Sequence, residues 1–161
     1  LKAFIRFKKK LRSNMKLVIV GRYGWKYDEL IAMREEMPFK EDVKWVGYMN
    51  VDELSKVMGG AYALVYPSLF EGFGIPILEA LECDVPGIVS NTSSMPEVAG
   101  DAGILVDPTD VEDIALKMEQ LYKDENLRTK LIANAREQVK KFSWDKSAER
   151  LWDCVMKCIG K

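Results

Sequence analysis

Histidine is absent from this 161-residue chain, and its absence removes Ser-His-Asp triads, Cys-His pairs and His-based metal sites built within it. Cysteine is scarce: Cys83, Cys154 and Cys158 are an odd set without the spacing of a disulfide framework. With no signal-peptide pattern at the start, this suits a reducing cytoplasm. No apolar run approaches the roughly 20 residues that cross a bilayer, and 48% apolar with 30% charged residues is the composition of a soluble globular domain. An excess of either charge is also lacking. Lys and Arg number 24 against 25 Asp and Glu, for a net charge of -1, so there is no basic field to attract nucleic acid or acidic lipid. The chemistry left to the chain rests on carboxylates, backbone amides or groups supplied from outside it.

The length fits one domain with a sizeable core. Strand-like apolar runs (MKLVIVG, VKWVG, AYALVYP, VPGIVS and AGILVDP) alternate with helical patterns. Runs that are apolar throughout, each followed by a helix or helical turn, predict a parallel sheet covered on both faces. The fold class is α/β, a doubly wound, Rossmann-like parallel sheet with a helical C-terminal tail. Asn50 with Glu53, Ser94 with Glu97 and Thr109 with Glu112 have the spacing of helix caps, and Ser143 caps the last helix. Asp84 stands where a helix-ending glycine would be comfortable and tolerates left-handed geometry better than most residues. The tail carries Trp144, Leu151, Trp152, Val155, Met156 and Ile159 on a wide apolar face that must pack on something large. The four tryptophans, at 25, 45, 144 and 152, are most economically core residues, with a partner surface outside the chain as the alternative for Trp144 and Trp152 on the last helix. The opening LKAFIRFKKKL carries Lys2, Arg6, Lys8, Lys9, Lys10 and Arg12 beside Phe4, Phe7 and Leu11. A basic amphipathic helix can touch a membrane surface, but a solvated outer face is the simpler reading. Because this helix starts at Leu1 with no strand before it, the expectation is a fragment whose first strand is missing.

Few stretches could carry chemistry. Gly21 and Gly24 lack the spacing of a dinucleotide fingerprint or a P-loop. Cys154 and Cys158 share a helix face but have no further ligand. The stretch from Pro67 to Leu81, PSLFEGFGIPILEAL, is different. It reads as strand, glycine-rich turn and helix start, the place where open α/β sheets put their ligands. Gly72 and Gly74 leave the N–H groups of Phe73, Gly74 and Ile75 open to close approach at a helix N-terminus, which favours oxyanions and hydroxyl oxygens. Pro76 stiffens the first turn. Glu71 and Glu79 bracket Gly72 and Gly74, and at 3.6 residues per turn their spacing of eight brings a carboxylate from the turn and one from just over two turns later towards the same side. A carboxylate such as Glu79 can accept both hydrogens of a vicinal diol, as in ribose. From the residues alone two readings stand: a site for a phosphorylated, polyhydroxylated ligand, or solvent-facing charges around a structural turn.

EGFGIPILEAL resembles the E-x7-E signature of the GT-B-fold retaining glycosyltransferases of the family-4 type. KLVIVGRYGWKYDE, VKWVGYMNVDEL, the long block from Ala61 to Ala115 and KFSWDKSAERL resemble consecutive blocks of that family's C-terminal, donor-binding domain. The resemblance implies that residues 1–161 are one N-terminally truncated nucleotide-sugar-binding domain, the C-terminal half of a GT-B fold, with 143–159 a crossover-type helix. It implies that Glu79 binds the ribose hydroxyls and that Glu71 is the catalytic-site carboxylate near the transferred sugar. The amides of Phe73, Gly74 and Ile75, with Gly72 beside them, would meet sugar or phosphate oxygens, and the backbone at Tyr48 and Met49 would cradle the nucleobase. The implied reaction moves a hexose, of mannose or glucose type, from a GDP- or UDP-linked donor to a hydroxyl acceptor with retention, in polysaccharide or glycolipid synthesis. Neither cofactor nor metal is implied.

The departures are as informative. The family's arginine and lysine that neutralise the diphosphate follow the first strand, upstream of Leu1, and Arg22 follows the second strand and does not replace them. The resemblance also implies an N-terminal acceptor domain as a partner, and a peripheral location of the full protein at the inner membrane face. Asp84 and Gly87 replace residues usual in the family at structural positions. A sheet lacking its central strand should either pair MKLVIVG directly with AYALVYP or show a gap between them. Competing functions are a non-catalytic nucleotide-sugar-binding or assembly module, and a sugar-nucleotide epimerase or phosphorylase on the same fold.

Overall fold

The computed structural model describes residues 1–22, 24 and 27–160. The order is α1 (Lys2–Leu11), β1 (Leu17–Val20), α2 (Asp28–Glu36), β2 (Val43–Gly47), α3 (Val51–Gly59), β3 (Leu64–Tyr66), α4 (Ile75–Glu82), β4 (Gly87–Ser90), α5 (Met95–Ala99), β5 (Gly103–Val106), α6 (Val111–Lys123), α7 (Glu125–Val139) and α8 (Trp144–Ile159), with short 3-10 turns before β2 and β5. Every described strand pair is parallel. The strands form two hydrogen-bonded groups, β1-β2 and β3-β4-β5. Of the two outcomes expected at the sheet centre, the structure shows the gap: β1 and β3 do not pair.

Strand β4 lies at the centre of its group and is buried along its whole length. Ile88 packs with Val106, Ile114, Leu121 and Leu131 from β5, α6 and α7. Val89 packs in a separate cluster with Ile77, Leu81, Met95 and Val98, from α4 and α5. Successive strand residues point to opposite faces, so the doubly wound expectation holds here. The other group is covered less fully. Leu17 and Ile19 pack beneath Phe4 and Phe7 of α1, but Val18 is 45% exposed and Val46 41%. With apolar surface worth about 25 cal/mol per Å² removed from water, one face of β1-β2 forgoes that gain.

The basic helix α1 presents most of its charges outward, with Lys2, Arg6, Lys9, Lys10 and Arg12 exposed. Its apolar side enters the core, and Arg6 and Lys10 pair with Glu112 and Glu119 of α6 at 2.6 Å each. Lys8 is buried, meeting Asp42 at 2.7 Å and donating to the carbonyls of Ser13 and Met15. It fixes the end of α1 to the start of β1 and to the turn before β2.

Local signals fared unevenly. Asn50 and Glu53 form the full capping box, and Ser143 accepts from the Lys146 N–H. Asp84 adopts φ 58° and its carboxylate takes both Nε and Nη2 of Arg136, at 3.0 and 2.9 Å. Two expected caps are corrected. Thr109 donates to Asp107, and Asp110 caps α6 instead. Ser94 makes no cap, because its hydroxyl is turned to another loop. The tryptophans are corrected too: Trp45 is half-buried and donates towards the Gly21 carbonyl, while Trp144 and Trp152 are 87% and 63% exposed. Trp25 lies outside the described residues. Helix α8 buries no side chain, and among the described residues its apolar face stands exposed.

Lys8→Met keeps the volume but leaves two carbonyls and a carboxylate without their ammonium. The expected loss is about 2–3 kcal/mol, read as a lower urea midpoint with an unchanged slope.

Candidate donor-binding site

The first candidate segment lies between β3 and α4, at the carboxyl end of β3. Its turn is open because Gly74, the residue before the helix, sits at φ 99°, where an added Cβ would stand 3.1 Å from Ile77 Cδ1. Helix α4 has no side-chain N-cap, and Pro76 in its first turn contributes no N–H. The N–H groups of Phe73, Gly74 and Ile75 find no protein acceptor among the described residues. Such a helix end carries partial positive charge without a resident anion.

The loop is held from the side by hydroxyls of the segment after β4. Ser90 Oγ donates to the Ser68 carbonyl at 2.6 Å, and Thr92 Oγ1 to that of Leu69 at 3.2 Å. Ser93 donates to the Glu71 carbonyl, and Ser94 Oγ reaches the carbonyls of Glu71 and Phe73 at 3.1 and 2.8 Å. Each carbonyl so bound satisfies a backbone acceptor that a tight loop cannot pair with itself. The Phe73 ring meets Phe142, just before α8, edge to face at 5.6 Å. Four hydroxyl residues among the five positions from Ser90 to Ser94, opposite a glycine-rich turn, are the signal in the sequence.

Glu71 lies in the loop rather than on the helix. Its Oε1 accepts from Tyr66 Oη and from Ser68 Oγ, both at 2.7 Å. Those two hydrogen bonds, Ser68 first, hold its carboxyl below the ordinary glutamate range. Tyr66 ends β3, packs against the Val89 cluster, and is pushed up to about 12 by burial and by the Glu71 carboxylate it donates to. The helical-spacing argument for Glu71 and Glu79 is therefore corrected: α4 begins at Ile75, so Glu79 is one turn into it and Glu71 precedes it. Glu79 is half-buried, with no hydrogen bond or ion pair to another described side chain.

Tyr48 and Met49 follow β2, between Gly47 at φ 73° and the capping residue Asn50. No hydrogen bond or ring contact among the described residues joins them to the Glu71 loop. Tyr48 stands under Arg22, whose guanidinium carbon is 5.0 Å from the ring centre. The exits of β1 and β2 are tied by the Gly21 N–H to the Gly47 carbonyl at 2.8 Å. Cys154 and Cys158 are exposed on α8, and no group of three or more potential ligands among the described residues is arranged to hold a metal ion.

A parallel α/β sheet with its open turns at strand carboxyl ends is shared with solved GT-B glycosyltransferases, of whose fold the chain covers a part. Sucrose-phosphate synthase from Thermosynechococcus elongatus superposes with a TM-score of 0.84 at 22% identity, over 99% of this chain and 42% of that one. HepE of Anabaena, solved in complex with UDP-glucose, gives 0.84 at 17% identity over 96% of this chain and 44% of that one. Residues 1–138 match the family Glycosyl transferases group 1, and the chain belongs to it. It is 39% identical over 134 residues to the O-antigen chain mannosyltransferase B of Escherichia coli, covering 83% of this chain and 35% of that protein. An uncharacterized glycosyltransferase of Methanocaldococcus jannaschii is 31% identical over 93% of this chain and 40% of its own length. The chain thus spans well under half of these relatives.

Ser94→Ala removes two bonds to the loop and is expected to lower unfolding free energy by about 1–2 kcal/mol in urea titration. Acid should act on the Tyr66–Glu71 link in one direction. A lowered carboxylate pKa contributes stability above the unfolded value, 4.5, which is lost as pH falls through the folded value. The stability difference between wild type and Tyr66→Phe should therefore be flat from about pH 8 to 5 and shrink below about pH 4.5, in paired urea titrations.

Proposed function

We propose that the chain is the donor-binding part of a retaining glycosyltransferase of the family-4 type, which moves a hexose from a nucleotide diphosphate sugar to a hydroxyl acceptor. The observation that carries this is the pairing of uncommitted groups at one helix start. The N–H groups of Phe73, Gly74 and Ile75 lack acceptors, and the Glu79 carboxylate one turn later has both oxygens free of side-chain donors. Amides of that kind suit phosphate or sugar oxygens, and a free carboxylate suits the ribose diol. Glu71, held ionised, then lies at the transferred sugar, and the exposed Tyr48 with Met49 lies at the base.

Mannose is favoured as the sugar because the O-antigen mannosyltransferase shares 39% identity with this chain; the same relative supports a role in polysaccharide synthesis. The donor is GDP- or UDP-linked. The work suits the cytoplasm, and none of the described helices is long and apolar enough to cross a membrane. With Arg6, Lys8 and Lys10 engaged by carboxylates, any peripheral contact with the inner membrane face falls to other parts of the full protein. The gap between β1 and β3 fits a further strand supplied from upstream, whose following loop would bring the arginine and lysine for the diphosphate. A second reading, a nucleotide-sugar-binding assembly module, draws support from the exposed apolar face of α8.

Isothermal titration of the full protein with GDP and UDP tests the proposal, and no saturable heat with either nucleotide would overturn it. Glu79→Gln removes a charged acceptor worth roughly 1.5–3 kcal/mol, so nucleotide affinity should fall about 10- to 100-fold. Turnover of a nucleotide sugar with an added acceptor separates the transferase from the binding module.

A further inference from the structure

Glu71 differs from Glu79 in one respect that bears on what each can hold. Its Oε1 already receives two hydrogens, from Tyr66 Oη and Ser68 Oγ at 2.7 Å each. A carboxylate oxygen offers about two lone-pair sites, so Oε1 is filled by the protein itself. Both donors are braced. Tyr66 is rooted in the cluster of Ile77, Leu81, Val89 and Met95, and the Ser68 carbonyl is held by Ser90, a residue with no exposed surface. The carboxylate plane is set by the rigid core behind it, not by the solvent in front.

The geometry points to Tyr66 and Ser68 as positioning residues, which occupy Oε1 of Glu71 so that Oε2 alone faces a hydroxyl of the transferred sugar. This rests on the donor-binding reading and deepens it. One open oxygen in a fixed direction selects a single hydroxyl position, whereas Glu79, with both oxygens open, takes a diol. Without its two donors Glu71 would rotate and meet solvent with either oxygen, losing preference for the sugar while the nucleotide is still held. Tyrosine suits the task because its hydroxyl remains protonated far above neutrality, and Ser68 because a short side chain three residues away can reach the same oxygen.

The test separates the two layers. In the full protein, the Glu71 carboxyl is followed by carbon-detected NMR titration without ligand. Affinities for a nucleoside diphosphate and for the matching nucleotide sugar are then compared by calorimetry. Tyr66→Phe and Ser68→Ala should each move the Glu71 midpoint up towards the ordinary glutamate value. Each should leave nucleoside diphosphate affinity within twofold and reduce the extra affinity conferred by the sugar about tenfold. Ser68→Thr retains the hydroxyl and should restore the sugar contribution. Tyr66→Phe combined with Glu71→Gln should be no weaker than Glu71→Gln alone. A Glu71 midpoint unmoved by both substitutions would overturn the proposal, as would a sugar contribution that persists when the midpoint moves. If neither nucleotide nor nucleotide sugar binds, the donor-binding reading fails and the ligand role of Oε2 fails with it; the ligand-free titration still reports whether Tyr66 and Ser68 hold Glu71.

Discussion

The loop between β3 and α4 could not keep its shape without the hydroxyls of Ser90, Thr92, Ser93 and Ser94. Glycines at 72 and 74 give the backbone freedom, and freedom costs entropy when the fold removes it. Hydrogen bonds to the carbonyls of Ser68, Leu69, Glu71 and Phe73 offset that cost. Apart from the Glu71 N–H, which donates to Ser93 Oγ at 3.3 Å, these ties use the loop's acceptors. The amides of Phe73, Gly74 and Ile75 are left for something else. A segment held mainly through its carbonyls and open at these three N–H groups is polarised toward ligands rich in oxygen, and the family to which the chain belongs handles sugars.

The same economy explains the uneven core. The β3-β4-β5 group is complete on both faces, with Ile88 and Val89 pointing into different clusters. The β1-β2 group is covered on one face only, by α1 and the segment around Met37. Helix α1 bridges the two, since Ala3 belongs to the β4 side and Phe4 and Phe7 to the β1 side. Arg6, Lys10 and Lys8, which in isolation read as part of a basic patch, are intramolecular ties to Glu112, Glu119 and Asp42.

Much of this was legible in the chain. The period of apolar residues marks all five strands, because a parallel strand buried in a sheet is apolar throughout, and a residue such as Asp84 betrays a left-handed position by type. The expectation of either a gap or a direct pairing at the sheet centre came from topology and not from any residue. What could not be read were pairings between distant hydroxyls and carbonyls. Ser94 looked like a cap because local spacing cannot reveal a competing acceptor 21 residues away in sequence. Helical spacing could not relate Glu71 to Glu79, because Gly74 at φ 99° ends the helix short of Glu71, and glycine's permissiveness leaves no single mark in a sequence. Trp144 and Trp152 looked like core because apolar residues on a helix face declare that a partner exists, not that it lies in the same chain.

Phe142 and Ser143 mark a mechanical boundary. The Phe142 ring is seated against Phe73, while from Ser143 onward the chain enters a helix of 16 residues with no buried side chain. Packed and exposed segments are therefore adjacent residues. At 1.5 Å per residue the helix is about 24 Å long, so its apolar face begins on the rim of the candidate site and ends, at Ile159, about that distance away.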